Sequence, residues 1–99
     1  MLATGWAYIR WNGVYDWYYF GELGNMLTGW ITVGGHTYYL QETPDGYRGR
    51  MLVGWQMIDG KWYFFNTVSD GTKGALLKNT VTSDGYHVGE EGESGFHNL

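Results

Sequence analysis

A Gly-Trp pair recurs along this chain at nearly equal intervals, as Gly5-Trp6, Gly29-Trp30 and Gly54-Trp55. A regular period of this kind predicts tandem copies of one supersecondary unit, each of which needs a neighbour to cover its apolar surface. The 99 residues hold three full copies and part of a fourth. The repeat therefore constrains the fold more than any other feature of the sequence.

Each copy has the pattern of a β-hairpin. A two-residue turn signal (Asn12-Gly13, Gly34-Gly35 or Asp59-Gly60) comes shortly before an aromatic cluster, at 17–20, 37–40 or 62–65. Asn-Gly, Asp-Gly and Gly-Gly pairs favour the type I′ turn and related turns of two-residue hairpins. The nine Tyr, six Trp and 17 Gly residues suit short strands and tight turns, and they do not suit a helical bundle.

The first hairpin is longer than the other two, by two residues in each strand. Because side chains alternate between faces, an insertion of two residues keeps every side chain on its original face. The turn positions then predict the cross-strand pairs. These are Trp6 with Tyr19, Tyr8 with Trp17, Trp30 with Tyr39, Thr32 with Thr37, Trp55 with Phe64, and Met57 with Trp62.

The predicted fold is an all-β solenoid of tandem β-hairpin repeats. We expect one module over residues 4–88, with units at about 5–28, 29–53 and 54–78 and a degenerate unit at 79–88. Atypical end units are usual in repeat proteins, because a terminal unit lacks a neighbour on one side. The acidic, glycine-rich segment 89–99 is expected to be a frayed tail.

Composition excludes several function classes. A formal charge of −4 argues against nucleic acid as a partner, and no apolar run is long enough for a membrane span. The chain has no Cys, and its three His residues lack ligand spacing, so we expect no metal and no cofactor. We also find no Ser-His-Asp order, no phosphate-binding glycine loop and no metalloprotease helix, and we expect no enzyme activity.

The repeat resembles the choline-binding or cell-wall-binding repeats of Gram-positive bacteria and their phages, and it is also similar to glucan-binding repeats. The resemblance is carried by Gly29-Trp30 after the Met26-containing loop, by the cluster at 17–20, and by the run 59–65. It covers residues 4–88. It implies a non-catalytic module that belongs to a longer, secreted protein and attaches it to the bacterial cell surface.

In choline-binding members, the resemblance implies, each ligand lies between successive hairpins in an aromatic box. The first box here would have Trp6, Trp17 and Tyr39 as walls and Met26 as an apolar neighbour. The second would have Trp30 and Phe64, with Thr37 where a third aromatic wall is expected. The third would have Trp55 and Trp62, and would be open on one side because Gly89 stands at the position of Phe64.

Three functions remain open at this point. The first is recognition of choline groups on teichoic acid. The second is stacking of the same aromatic rings on a neutral glycan, such as a glucan or peptidoglycan sugar. The third is a structural spacer, or a homodimer formed through the end hairpins. The tryptophans also suit a hydrophobic spine that needs no ligand; Trp6 fits both roles, and Trp30 fits the spine better.

Overall fold

A computed structural model describes residues 4–94, and over that range the chain forms strands, turns and loops without a helix. The described residues form nine strands: β1 (Gly5–Trp11), β2 (Val14–Phe20), β3 (Gly29–Val33), β4 (His36–Leu40), β5 (Gly54–Ile58), β6 (Lys61–Phe65), β7 (Thr80–Val81), β8 (His87–Val88) and β9 (Glu93–Ser94). The prediction of an all-β chain of tandem hairpins is confirmed. No helix long and apolar enough to cross a membrane occurs in the described range.

Strands β1–β2, β3–β4 and β5–β6 form three hairpins that close with the predicted two-residue turns. Both turn residues have positive φ in every case: 51° and 79° at Asn12-Gly13, 58° and 82° at Gly34-Gly35, and 50° and 81° at Asp59-Gly60. Positive φ at both central positions defines the type I′ turn. The turn chemistry read from the sequence is therefore confirmed.

The register of the first and third hairpins is also as predicted. Trp6 pairs with Tyr19 and Tyr8 with Trp17 in β1–β2, and Trp55 pairs with Phe64 and Met57 with Trp62 in β5–β6. Strands β1 and β2 have seven residues each, whereas β3 to β6 have five. The longer first hairpin is confirmed, and its additional residues keep the faces of the shorter ones.

The loop that follows each hairpin pairs with its second strand at a single position. A single bridge joins this loop to the last residue of the hairpin, and the next amide donates to the carbonyl one position earlier. The bridges are Phe20 to Met26, Leu40 to Met51 and Phe65 to Leu76. The amide donors are Leu27 to Tyr19 at 2.9 Å, Leu52 to Tyr39 at 3.0 Å, and Leu77 to Phe64 at 3.0 Å.

The chain forms two compact units. The first comprises the described residues up to Val33 together with Thr37–Leu52, and the second comprises Gly34–His36 and the described residues from Val53 onward. Each unit has its own buried aromatic and aliphatic residues. In the first these are Tyr18, Tyr38, Leu40 and Met51, and in the second they are Ile58, Phe64, Phe65, Ala75 and Val88.

The loops after β4 and β6 are each held by a side-chain hydrogen-bond network, and the two networks are equivalent. The Gln41 amide donates to the Asp45 carboxylate at 2.6 Å, and at the same position of the next repeat the Asn66 amide donates to Asp70 at 3.0 Å. Both carboxylates also accept a backbone N–H two residues ahead, from Tyr47 at 3.0 Å and Thr72 at 2.9 Å. Asp45-Gly46 and Asp70-Gly71 are therefore turn elements of these loops.

The fourth unit departs from the hairpin pattern. Thr80 pairs with Val88 and Val81 with His87, so five residues, and not two, lie between the strands. In the segment expected to fray from Gly89 onward, β9 pairs with Trp62 and Tyr63 of β6. The fraying itself stays a prediction. The rest of that predicted tail, residues 95–99, lies outside the described residues. The module boundaries predicted above remain predictions.

Candidate functional site

The first candidate box begins on one face of the first hairpin. The register places Trp6, Tyr8, Trp17 and Tyr19 on the same face, as the two-residue turn predicts. The Trp6 ring meets the Tyr19 ring edge-on, with centroids 5.0 Å apart, and the Tyr8 and Trp17 rings are 5.0 Å apart and tilted by 39°. Trp17 keeps 37% of its surface exposed, so its indole is accessible to a ligand.

The loop that follows the second hairpin links the backbone of Tyr39 to that of Trp17. Two consecutive amides of that loop, those of Met51 and Leu52, donate to the carbonyl of Trp17 at 2.8 Å and to the carbonyl of Tyr39 at 3.0 Å. The Trp6 ring contacts Tyr38, the neighbour of Tyr39, with centroids 4.9 Å apart. Backbone bonds thus place the segments of Trp17 and Tyr39 side by side, with Trp6 against the same strand.

A carboxylate lies at the phenol end of Tyr39. The Tyr39 hydroxyl donates to Glu42 Oε1 at 2.9 Å, and its ring meets Trp30 edge-on with centroids 5.0 Å apart. Sequence reasoning did not single out Glu42. The available signal was its position two residues beyond the end of β4, where a loop side chain can fold back on the last aromatic residues of the strand.

Met26 contacts the loop after β4 and lines a cavity. Its sulfur approaches Gly49 so closely that a Cβ on that glycine would be 2.5 Å from it, and it lines a cavity together with Tyr18. Tyr18 pairs with Ala7, so it lies on the opposite face of β2 from Trp17. The structure therefore associates Met26 with the reverse face of the hairpin, and its role as a neighbour of the first box stays a prediction.

The second candidate box draws on residues of both units. Trp30, in the first unit, is 42% exposed. A tryptophan that served only as part of a hydrophobic spine would be more deeply buried. Phe64, in the second unit, is buried and faces Trp55 with ring centroids 5.0 Å apart. A shared box of Trp30 and Phe64 stays a prediction.

The third candidate box receives residues that the sequence did not predict. Trp55 and Trp62 share a face of β5–β6, as expected from the register. The Trp55 indole N–H donates to Asp84 Oδ2 at 2.9 Å, and its ring meets Tyr86 edge-on with centroids 6.0 Å apart. On the side where only Gly89 was expected, the five-residue loop of the fourth unit supplies an aromatic ring and a carboxylate.

The carboxylate of Asp84 is held in its charged form. The Thr82 hydroxyl and then the Trp55 indole donate hydrogen bonds to it, and these bonds lower the pKa of Asp84 below its usual value. Aromatic faces beside a carboxylate can hold a cation that makes no hydrogen bonds of its own. In residues 4–94 no group of three His, Asp or Glu side chains is placed to hold a metal ion.

Comparisons with known proteins identify the repeat family. A family model described as a choline-binding repeat matches residues 3–46, and a model of a cell wall binding repeat matches residues 53–67. Among curated protein sequences, none matches the chain.

Solved structures give extensive matches. The choline binding domain of Spr1274 from Streptococcus pneumoniae is 39% identical over 94% of this chain and 95% of its own length, with a TM-score of 0.69. CbpJ of the same species is 36% identical over 94% of this chain, with a TM-score of 0.70. Choline binding protein F, solved in the presence of a peptidoglycan analogue, is also 36% identical over 94%, with a TM-score of 0.66. The chain spans 27% of CbpJ and 33% of choline binding protein F.

Proposed function

The chain belongs to the choline-binding repeat family, and on that basis we propose that it is a non-catalytic module that binds choline groups of cell-wall teichoic acid. We place the principal choline site at Trp6, Trp17 and Tyr39. The third candidate box, Trp55 and Trp62 with Tyr86, is proposed as a second site. The module would serve a longer, secreted protein that is retained at the bacterial surface.

The observation that carries this proposal is the pair of adjacent hydrogen bonds from Met51 and Leu52. They hold the backbone of Trp17 beside that of Tyr39, while Trp6 packs against Tyr38 in the same strand. These contacts bring the strands of Trp6 and Trp17 next to the Tyr38–Tyr39 segment of the second hairpin. That proximity supports a box there, and completion of the box by the Tyr39 ring is part of the proposal.

The chemistry fits a quaternary ammonium group. Such a cation donates no hydrogen bond, so aromatic faces and desolvation must hold it, and each good cation–π contact contributes about 0.5–2 kcal/mol. Three walls then give an affinity of about 1 mM for one site. The carboxylates of Glu42 and Asp84, which hydrogen-bond to Tyr39 and Trp55, add a favourable field for a positive ligand. Strong attachment would come from several such sites on one polymer chain.

The test compares choline with its neutral carbon isostere, 3,3-dimethylbutan-1-ol, by isothermal titration calorimetry. We expect choline to bind at about millimolar affinity and the isostere to bind several-fold more weakly, because only the cation benefits from the ring quadrupoles. Trp17→Ala should remove most of this discrimination. Trp11→Ala is the matched control, because Trp11 lies on the opposite face of the same hairpin.

Equal affinity for choline and the isostere would rule out a cation box. A loss of choline binding in Trp11→Ala equal to that in Trp17→Ala would rule out the proposed location. Sedimentation analysis of the free chain would show in the same samples whether the predicted dimerisation through the end hairpins occurs.

A neutral glycan is the second candidate ligand, and one feature of the first hairpin favours it. The Tyr8 and Tyr15 rings are exposed and stacked, with centroids 5.2 Å apart and planes within 22°. Exposed aromatic rings of this kind can cover the apolar face of a sugar. Retention on dextran or purified peptidoglycan that choline does not compete, and that Tyr15→Ala abolishes, would establish this function.

A further inference from the structure

A cavity of about 430 Å³ lies within the first unit, on the face of the first hairpin opposite to Trp6 and Trp17. This volume falls in the range of about 300–1,000 Å³ that is usual for small-molecule sites. The walls are almost entirely apolar. They include Trp11, Tyr18, Phe20 and Met26 of the first repeat, and Pro44 and Arg48 of the loop after β4.

The cavity depends on two residues that the longer first hairpin supplies. The lengthened hairpin adds Trp11, which forms one wall, and Asn12 at its turn. The Asn12 side-chain amide donates to the Gly46 carbonyl at 3.2 Å and so ties the loop after β4 to the hairpin tip. A hairpin of five-residue strands ends two residues earlier and would supply neither group.

The walls of the cavity are left partly open to water. Trp11 is 57% exposed and Met26 is 40% exposed, although both line a concave apolar surface. Covering such a surface with an apolar ligand is favourable in proportion to the area removed from water. The Tyr18 hydroxyl is buried without a hydrogen-bond partner among residues 4–94, which is costly in a residue that serves packing alone. Both features are typical of a binding surface.

The charged side chain that lines the cavity is a cation, and the Asp45 carboxylate of the same loop is engaged by the Gln41 amide and the Tyr47 N–H. Burial raises the pKa of Tyr18, so its phenol stays neutral at physiological pH. The nearby Asp16 carboxylate faces Arg50 Nη1 at 3.9 Å, so these two charges offset each other. Arg48 is the charged side chain in the cavity wall itself. A guanidinium group matches a planar carboxylate or a sulfonate, and it disfavours a quaternary ammonium group at the same place.

We propose that this cavity is a second ligand site, which binds a small aromatic anion with its ring against Trp11 and Phe20 and its carboxylate or sulfonate facing Arg48. The site is separate from the choline box, because the two lie on opposite faces of β1–β2. Its occupation does not require the proposed choline function. One module would thus accept a cation on one face and an apolar anion on the other.

Two fluorescent probes with the same ring system test the proposal. 1-Anilinonaphthalene-8-sulfonate carries the anionic group, and N-phenyl-1-naphthylamine lacks it. We expect one site per chain for the sulfonate, with about threefold to fivefold weaker binding in Arg48→Gln. The affinity for the neutral probe should not change in that variant. Lys73→Gln removes a charge at the equivalent position of the next loop and should change neither affinity.

The remaining variants locate the site. Trp11→Ala should weaken binding of both probes, and Tyr8→Ala, at an exposed aromatic residue of the opposite face, should weaken neither. With ¹³C-methyl methionine, the sulfonate should shift the Met26 signal and leave that of Met57 unchanged. Displacement of the sulfonate by choline, equal effects of Arg48→Gln and Lys73→Gln, or an unshifted Met26 signal would each overturn the proposal. Near-ultraviolet circular dichroism of every variant confirms that it is folded.

Discussion

The first and third hairpins carry the same aromatic pattern at two lengths, and they differ in where the rings lie. In β1–β2 the Tyr8, Tyr15 and Trp17 rings are exposed, and Phe20 is only half-buried. In β5–β6 the residue equivalent to Phe20 is Phe65, which is completely buried. One repeat thus uses its aromatic cluster as a core, and the other presents much of it to solvent.

Length accounts for part of this difference. In both hairpins the following loop bridges to the open end, at Phe20 and at Phe65. The longer hairpin has an additional tier at its turn end, and these added residues, Arg10, Trp11, Val14 and Tyr15, are exposed. A symmetric insertion of two residues per strand therefore adds exposed rings next to the turn without changing the register of the hairpin.

The largest expected effect comes from replacing Phe65 and the equivalent Phe20 with alanine. Phe65→Ala should cost about 3–5 kcal/mol of unfolding free energy, because it removes a fully buried ring and leaves a cavity. Phe20→Ala should cost about half as much, since the Phe20 ring already contacts water. Urea denaturation of both variants measures the difference. Equal losses would show that the first hairpin is as much a core element as the third.

Two glycines of the loops after β4 and β6 allow a smaller and sharper test. Gly49 and Gly71 have φ values of 94° and 95°, so alanine at either position costs about 1–2 kcal/mol of backbone strain. A Cβ on Gly49 would also lie 2.5 Å from the Met26 sulfur, whereas one on Gly71 would meet none of the described residues within 4 Å. Gly49→Ala should therefore destabilise more than Gly71→Ala.

The additional loss of stability in Gly49→Ala should disappear when Met26→Ala is combined with it, because the shorter side chain at position 26 leaves room for the alanine Cβ. Denaturation of the two single variants and the double variant forms a thermodynamic cycle. An excess that persists in the double variant would mean that the strain at Gly49 has another source than the contact with Met26.

The parts of this comparison that were predictable from sequence are those fixed by local chemistry. The pairs Asn12-Gly13 and Asp59-Gly60 can take positive φ at both positions, so the turn type and the register follow directly. The even insertion in the first hairpin was readable for the same reason. Which residues share a face then needed no knowledge of the tertiary structure.

The parts that were missed depend on loop conformation. Asp84 and Tyr86 reach Trp55 because the fourth unit has a five-residue loop in place of the expected two-residue turn. Within this loop the Thr82 hydroxyl accepts a hydrogen bond from the backbone N–H of Tyr86. The Met26 side chain packs against Gly49 and lines the cavity on the reverse face, which the sequence did not indicate. The period of the repeat specifies where such loops occur in the sequence, but it does not specify the hydrogen bonds that shape them.

A still smaller effect is expected from exchanging the residues at the end of the aromatic cluster. Tyr39 and Phe64 occupy equivalent positions of successive repeats, and they differ by the hydroxyl that Tyr39 donates to Glu42. Tyr39→Phe should cost about 1 kcal/mol or less, because this bond is exposed to water. It should retain choline binding, since the ring remains. The reciprocal Phe64→Tyr should cost more, because it adds a hydroxyl at a buried position.

Denaturation and choline titration of both variants check this prediction. If Phe64→Tyr is as stable as the unmodified chain, the second unit has a polar partner for the added hydroxyl, and the two positions are more alike than their burial indicates.

The smallest effect should appear at low pH, and it belongs to the second unit. Hydrogen bonds from Thr72 lower the pKa of Asp70, and those from Thr82 and Trp55 lower that of Asp84, in both cases below the usual value of 3.8. A lowered native pKa contributes stability above the unfolded-state pKa, and that stability is lost as the pH falls through the native value. Asp70→Asn and Asp84→Asn should each make acid unfolding less steep. Both carboxylates are solvated, so each change should be slight.

The first unit should respond at the opposite end of the pH range. Burial raises the pKa of Tyr18 and of Tyr38 above the usual 10.0. A raised native pKa contributes stability that is complete below the unfolded-state value and is lost as the pH rises through the native one. Tyr38→Phe should therefore flatten the alkaline loss of stability and leave the acid side unchanged, whereas the two Asp→Asn variants should do the reverse. Denaturation midpoints from pH 2 to pH 11 measure both. If Tyr38→Phe altered the acid side as much as Asp84→Asn, the titrating groups of the two units would be coupled, and the contrast between the first and third hairpins could not be assigned to each unit separately.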